Sequence, residues 1–342
     1  MEYNNYQQSY TPPAPRKSRP FWPWVVGLVA LIIVLIVICV AVWGNVTNNA
    51  VRFAGNDYSI SGPSQPYVAI LHMEGEMTSS NDSSSLLSSN SSYNQQYLLD
   101  TIDYLIDDDN NLGLMLYIDS PGGTVYAADE LYYELQEYKE KTARPVYSYG
   151  ASMMASGGYY IAASSDKILL NRNCVTGSIG VTYGTFLDVS AFLDNLGIKS
   201  NTITSGKNKG MGNMYEGLTD QQIAIYQSLI NETYQQFLNI VSKGRDMDMQ
   251  TLKPLADGRI YSARQAVDNG LADGIATYEQ AYNQFVEDCG FKNAEVADFS
   301  YTPPTGWISN MFSLIKDKDI ATLEAYLSLA QPQGLLVYYQ GY

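Results

Sequence analysis

"LGLMLYIDSPGGTVYAADELYYELQEYKEKTARPVYSYG", residues 112–150, holds an apolar run, a glycine turn, a helical pattern and a second apolar run in succession. The first run, Leu112 to Asp119, lacks the polar alternation of a half-exposed strand and reads as one covered on both faces. Pro121, Gly122 and Gly123 break it. From Val125 to Lys141 apolar residues recur at helical spacing among Glu and Lys, and "PVYSYG" resumes an extended pattern. A helix between two strands makes them parallel, since antiparallel neighbours need only a short turn. The stretch therefore predicts a βαβ unit.

The same alternation continues in both directions. "YVAILHMEGEM" from Tyr67 is an expected first strand, "YLLDTIDYLIDD" (97–108) a helix and "KILLN" (167–171) a further strand. A long helix is expected over roughly Asp220 to Lys243, with Ile223, Tyr226, Ile230, Tyr234 and Phe237 inward. The fold class is α/β, built from parallel βαβ units with both sheet faces covered. No internal repeat divides it.

Composition bounds the partners. Among 342 residues, 35 Asp and Glu outweigh 20 Lys and Arg, for a formal charge of -15. That balance excludes nucleic acid, whose phosphates need clustered cations. Cys39, Cys174 and Cys289 have no metal-ligand spacing, and the sequence implies neither cofactor nor metal. "VVGLVALIIVLIVICVAV", residues 25–42, is uncharged and apolar for eighteen residues. At about 1.5 Å per residue it nearly spans a hydrocarbon layer of about 30 Å. Trp22, Trp24 and Trp43 sit at interfacial depth, and Arg16, Lys17 and Arg19 precede the run. The run is longer than a cleaved signal's apolar region and lacks its small-residue exit. The expected organisation is a cytoplasmic tail over 1–20, a transmembrane anchor over 21–43 and a stalk over 44–66. An extracytoplasmic catalytic domain follows over 67–290, with a C-terminal tail over 291–342. The chain is thus expected to be a single-pass protein of the cell membrane with its N-terminus cytoplasmic. "TSSNDSSSLLSSNSS" (78–92) reads as a surface loop.

Chemistry gathers around "ASMMASGGYYIA", residues 151–162. Ser156 follows a strand and precedes two glycines, so the Gly157 N–H stands free at a helix start. The other glycine pair, in "DSPGGT" (119–124), offers Gly122 or Gly123 as a second backbone donor. Two such donors are what a tetrahedral oxyanion requires. The base is the deciding question, because the chain has one histidine. His72 lies mid-strand before Glu74 and Glu76 and reads as structural. Serine can instead be activated by a neutral lysine whose pKa burial has lowered. Lys207 and Lys209, in "TSGKNKGMGNM", have no acidic residue within five positions, whereas Lys139 and Lys141 stand among glutamates.

These residues resemble a family. "DSPGG", "ASGGYYIA", "TGSIGV", "TSGKNK" and "GRIYSARQAVDNGLAD" occur in the order and spacing of the signal peptide peptidase A (SppA) family of membrane-anchored serine peptidases. The similarity runs from about Tyr67 to Ile275. The resemblance implies a ClpP/crotonase-like spiral of βαβ units and a Ser/Lys dyad. Carried over motif by motif, Ser156 matches the nucleophile and Lys209 the general base. Ser178 matches the hydroxyl that orients the lysine, and Gly123 and Gly157 match the oxyanion hole. With one catalytic unit the chain resembles the short form of the family, which assembles into dome-like rings whose neighbouring subunits can complete each site.

The expected function is a membrane-anchored serine endopeptidase acting on remnant signal peptides and similar apolar peptides. The alternative is a catalytically inactive membrane-tethered scaffold of the same fold. An acyl-CoA enzyme on this fold is disfavoured, because an exported acidic domain has no CoA supply. "GLLVYYQGY" (334–342) is apolar and extended in character, as a peptide substrate is, and fits either the active site or the ring exterior.

Overall fold

The computed structural model describes residues 58–79 and 93–302, together with the backbone of 336–338. The expected tail 1–20, the anchor 21–43, most of the stalk and most of the 78–92 loop lie outside the described residues. The first half of the chain forms β1 (Tyr67–Glu74), α1 (Gln95–Asp107), β2 (Asn111–Ser120), β3 (Gly122–Thr124), α2 (Val125–Thr142) and β4 (Val146–Ala155). Next come α3 (Gly157–Ala162), β5 (Lys167–Leu170), β6 (Val175–Gly177), α4 (Ser190–Asn195) and α5 (Asp220–Gly244). The chain continues with α6 (Met249–Leu252), β7 (Ile260–Ser262), α7 (Ala263–Asp268), β8 (Gly274–Ile275), α8 (Tyr278–Cys289), β9 (Glu295–Phe299) and β10 (Leu336–Tyr338). Among the described residues no helix is long and apolar enough to cross a membrane.

The α/β class read from residues 112–150 is the observed one. The main sheet runs β7-β6-β4-β2-β1-β9, with β5 on β4 and β8 on β5. All its pairings are parallel except β6 with β7. The crossovers between the parallel strands β1, β2 and β4 carry α1 and α2, which pack side by side. These helices bury Leu98, Ile102, Leu131 and Leu135. On one face of the sheet Val68, Ile70, Met115, Tyr147 and Tyr149 pack beneath Ala281 and Phe285 of α8. Helix starts follow local capping rules: Asn94 accepts from the Tyr97 N–H at 2.9 Å, and Thr219 with Gln222 closes a capping box on α5.

Strand β4 carries the chain to the site. It pairs with β5 through Tyr147–Gly150 and with β6 through Met153–Ala155. Between these halves its register with β2 shifts, from Ile118↔Gly150 to Ser120↔Met154. Asp119 sews the bulge closed, accepting from Ser152 Oγ at 2.5 Å and from the Met153 N–H at 3.0 Å. The ends of β2 and β4 therefore emerge side by side, one into the glycine pair and the other into Ser156.

Three expectations are corrected. The domain does not stop at residue 290, because β9 pairs in parallel with β1 from Tyr67↔Glu295 to Leu71↔Phe299. The exposed–buried alternation of "EVADF" is that of an edge strand, which a search for buried runs passes over. The last stalk residues lie on the body, where the Gly62 N–H donates to Tyr104 Oη at 2.8 Å. On α5 only the final turns are buried, through Phe237, Leu238, Ile240 and Val241, while Ile223 is 49% exposed. The first half of α5 belongs instead to an arm, formed with residues 183–219, whose small core stacks Tyr183, Phe186 and Tyr226 at centroid distances of 4.6–6.0 Å. Leu187, Phe192, Leu196, Ile198 and Ile203 stand exposed on this arm.

Candidate active site

Ser156 occupies the sharp turn from β4 into α3 with φ 53° and ψ -117°. A residue with a Cβ avoids this region at a cost of about 1–3 kcal/mol. Two bonds hold the conformation: the Ser156 N–H donates to the Gly177 carbonyl at 2.8 Å, and its carbonyl accepts from the Tyr160 N–H at 2.8 Å. A strained strand-to-helix turn is how α/β hydrolases present a nucleophile. The residue is fully buried, and its Oγ has no hydrogen-bond partner among the described residues. Leaving a hydroxyl unpaired in the interior costs about 1–3 kcal/mol. Ser156 thus combines a disfavoured torsion with a buried hydroxyl left unpaired among the described residues.

The second glycine pair lies against it. The Met77 N–H donates to the Gly122 carbonyl and the Met77 carbonyl accepts from the Thr124 N–H, both at 2.8 Å. Because neighbouring residues of a strand point their polar groups to opposite edges, the Gly123 N–H and carbonyl face away from Met77. A Cβ on Gly157 would lie 3.3 Å from the Gly123 nitrogen, so the two candidate oxyanion donors are adjacent. A Cβ on Gly123 would fall 1.9 Å from the Met77 carbonyl oxygen, which is why this position is glycine. Along the edge that Gly123 faces runs β10, antiparallel to β3 with Val337 opposite Gly123.

Ser178 is 7% exposed at φ 49° and directly follows the glycine whose carbonyl holds Ser156. The fold thus gathers Ser156, Gly157, Gly123 and Ser178. Lys209 is not joined to them within the chain. It lies in an exposed turn of the arm, its N–H bonded to the Gly206 carbonyl at 2.9 Å and its ammonium without a partner among the described residues. Lys207 donates to Gln221 Oε1 at 2.8 Å instead. His72 is structural, as read from the sequence: its ring nitrogens face Glu74 at 3.0 Å and Asp298 at 2.6 Å, and it stacks on Tyr117 at 4.6 Å. Burial pushes the Cys174 thiol up to about 12, which makes it inert as a nucleophile. Of the half-buried Met153 and buried Met154, the second belongs to the core. Among the described residues no cluster of His, Cys, Asp and Glu could hold a metal ion.

Two contributors escaped the sequence reading. Met77 fixes β3 through its backbone, and a backbone role leaves no mark on residue type. The Gly177 carbonyl anchors Ser156; its one trace is the glycine of "TGSIG", which has φ 85°.

Comparison with known proteins follows this geometry. Residues 138–292 match the model of Peptidase family S49. A signal peptide peptidase SppA of Enterococcus faecium is 32% identical over 277 residues, covering 80% of this chain and 79% of that protein. A protease of Methanocaldococcus jannaschii is 32% identical over 204 residues, 60% of this chain and 65% of that one. Among solved structures, a ClpP1 variant from Listeria monocytogenes gives a TM-score of 0.41 at 15% identity, over 62% of this chain and 94% of that one. The chain belongs to the signal peptide peptidase A family, within peptidase family S49 of serine proteases.

Proposed function

We propose that the chain is a membrane-anchored endopeptidase that cleaves remnant signal peptides and similar apolar peptides through a Ser156/Lys209 dyad. The observation that carries the reading is a buried, strained serine with an unpartnered hydroxyl, next to Gly157 and with the Gly123 backbone in close approach to Gly157. A chemically silent scaffold has no use for that strain.

In this mechanism neutral Lys209 accepts the Ser156 proton, Oγ bonds to the scissile carbonyl carbon, and the Gly123 and Gly157 N–H groups hold the oxyanion. Collapse breaks the C–N bond, and the amine departs with the proton held by the lysine. Water, deprotonated by the same amine, then releases the acyl group as acid. Ser178 orients the amine. Lys209 is exposed on its own chain. In a homo-oligomeric ring the arm of one copy lies over Ser156 of the next and takes the lysine out of solvent. The exposed apolar residues of the arm fit such a contact, and ring assembly suits a ClpP/crotonase-like spiral. The apolar run over 25–42 keeps the site at the membrane, where leftover signal segments emerge.

The β3 edge supports a peptide as substrate, since it already accepts an antiparallel strand in β10. Removing residues 334–342 frees that edge, and kcat/KM for an apolar reporter peptide is expected to rise by about threefold or more. An unchanged value assigns β10 to packing alone.

The direct test is labelling with a fluorophosphonate, followed by cleavage of an apolar peptide. Wild type labels and cleaves. Ser156→Ala does neither, with turnover down by at least about a thousandfold. Retained cleavage in a folded Ser156→Ala protein overturns the assignment.

A further inference from the structure

The arm that carries Lys209 is rooted on the helix that begins at Ser156. The Phe237 ring of α5 lies 4.9 Å from the Tyr160 ring of α3. At the end of α5, Gly244 approaches so closely that a Cβ there would fall 1.7 Å from the Ala163 carbonyl oxygen. These contacts press α5 onto α3, but apolar contact is non-directional and leaves the helix free to tilt.

Direction comes from three polar side chains at the same root. Tyr160 Oη donates to Asp129 Oδ1 at 2.5 Å, and Gln236 Nε2 donates to Asp129 Oδ1 and to Tyr160 Oη, each at 2.7 Å. Each comes from a different element. Asp129 is on α2, which starts from the glycine strand β3. Tyr160 is one turn beyond Ser156, and Gln236 is on α5. Burial and the Asp129 carboxylate keep the Tyr160 phenol protonated, so its role as donor to Asp129 is fixed.

We propose that Asp129, Tyr160 and Gln236 form a latch that sets the angle of the arm, and that Gln236 and Asp129 are positioning residues for the reaction. They touch no substrate; they act through α5 on where the base is delivered. The inference rests on the reading of Lys209 as that base, in its own subunit or a neighbour.

A lever argument gives the scale. The lysine turn is tied to the far end of α5, where Gln222 Nε2 donates to the Lys207 carbonyl at 3.4 Å. Gln222 and Gln236 are about 21 Å apart along the helix at about 1.5 Å per residue. A tilt of about 3° at the root therefore moves the lysine turn by about 1 Å, and a misplacement of that size costs up to about a hundredfold in rate. Substrate binding along β3 is untouched, so the loss falls on kcat.

The test uses the full chain and an apolar reporter peptide. Gln236→Glu sets a carboxylate against Asp129 and forces the latch open. The expected result is a fall in kcat of at least about tenfold, with KM within about twofold. The double variant Asp129→Asn/Gln236→Glu exchanges donor and acceptor, so that an amide on α2 donates to a carboxylate on α5. Its kcat is expected to return to within about threefold of wild type. Thermal melting shows whether each variant is folded, and Gln236→Leu, which removes both donors without adding charge, replaces the single variant if that one does not fold. Full kcat in a folded single variant, or no recovery in a folded double variant, overturns the latch. Failure of the peptidase reading is separate: wild type and Ser156→Ala would then be equally inactive.

Discussion

Lys209→Ala is expected to lower kcat by about three orders of magnitude, to the level of Ser156→Ala, while Lys207→Ala is expected to stay within about threefold of wild type. The contrast follows from placement. Lys207 is engaged with Gln221 at 2.8 Å, whereas the Lys209 ammonium has no partner among the described residues and is available to another surface. Ser156 meanwhile has a hydroxyl with no acceptor for its proton among the described residues of its own chain. The two halves of the proposed dyad are thus each incomplete within the described subunit. Mixing the two inactive variants, Ser156→Ala and Lys209→Ala, is expected to restore part of the activity if the proposed ring forms, since a ring of both would contain sites with an intact serine and an intact neighbouring lysine. Steady-state cleavage of a reporter peptide measures both results. A Lys209→Ala protein with normal turnover removes the dyad, and a silent mixture places the base in the same subunit as the serine.

Gly123→Ala is expected to abolish activity and to destabilise the fold by about 3 kcal/mol or more. The new Cβ lands 1.9 Å from the Met77 carbonyl oxygen and 2.6 Å from the Met77 nitrogen, both backbone atoms that cannot rotate away. Relief requires β3 to leave Met77, and the bonds from the Met77 N–H to Gly122 and from the Thr124 N–H to Met77 go with it. Gly158→Ala supplies the control. Its nearest obstacle is the Ser120 carbonyl at 3.3 Å, which a small shift accommodates. Chemical denaturation and peptide turnover, run in parallel on both variants, test the contrast. A Gly123→Ala protein with wild-type midpoint and rate would mean that β3 does not hold its described contact with Met77.

The α/β class, the tight turn at Ser156 and the adjoining glycine pairs were legible because each rests on a local rule. A covered parallel strand must be continuously apolar, as residues 112–119 are, and a strand that delivers a serine into a tight turn needs small neighbours, as Ser156 has. What could not be read rests on relations between distant residues. Met77 acts through its backbone, which any side chain supplies. Ile223 shares the helical stripe of Phe237, and periodicity finds the stripe without telling which part of it meets the core. Position along α5 decides that: Phe237 is fully buried near the root, and Ile223 projects on the arm. Glu295–Phe299 shows the same limit at a sheet edge, where one face and one side stay open and the hydrophobic signal is halved.

The torsion at Ser156 also decides which nucleophiles the position can ever host. At φ 53° a Cβ is already crowded, and a second branch on it narrows the choice of rotamers further. Threonine, chemically the nearest hydroxyl, is therefore the costlier replacement, while cysteine, unbranched like serine, carries no added branch into the turn. Any drift of this catalyst toward a new reactive group is channelled by its backbone to sulfur.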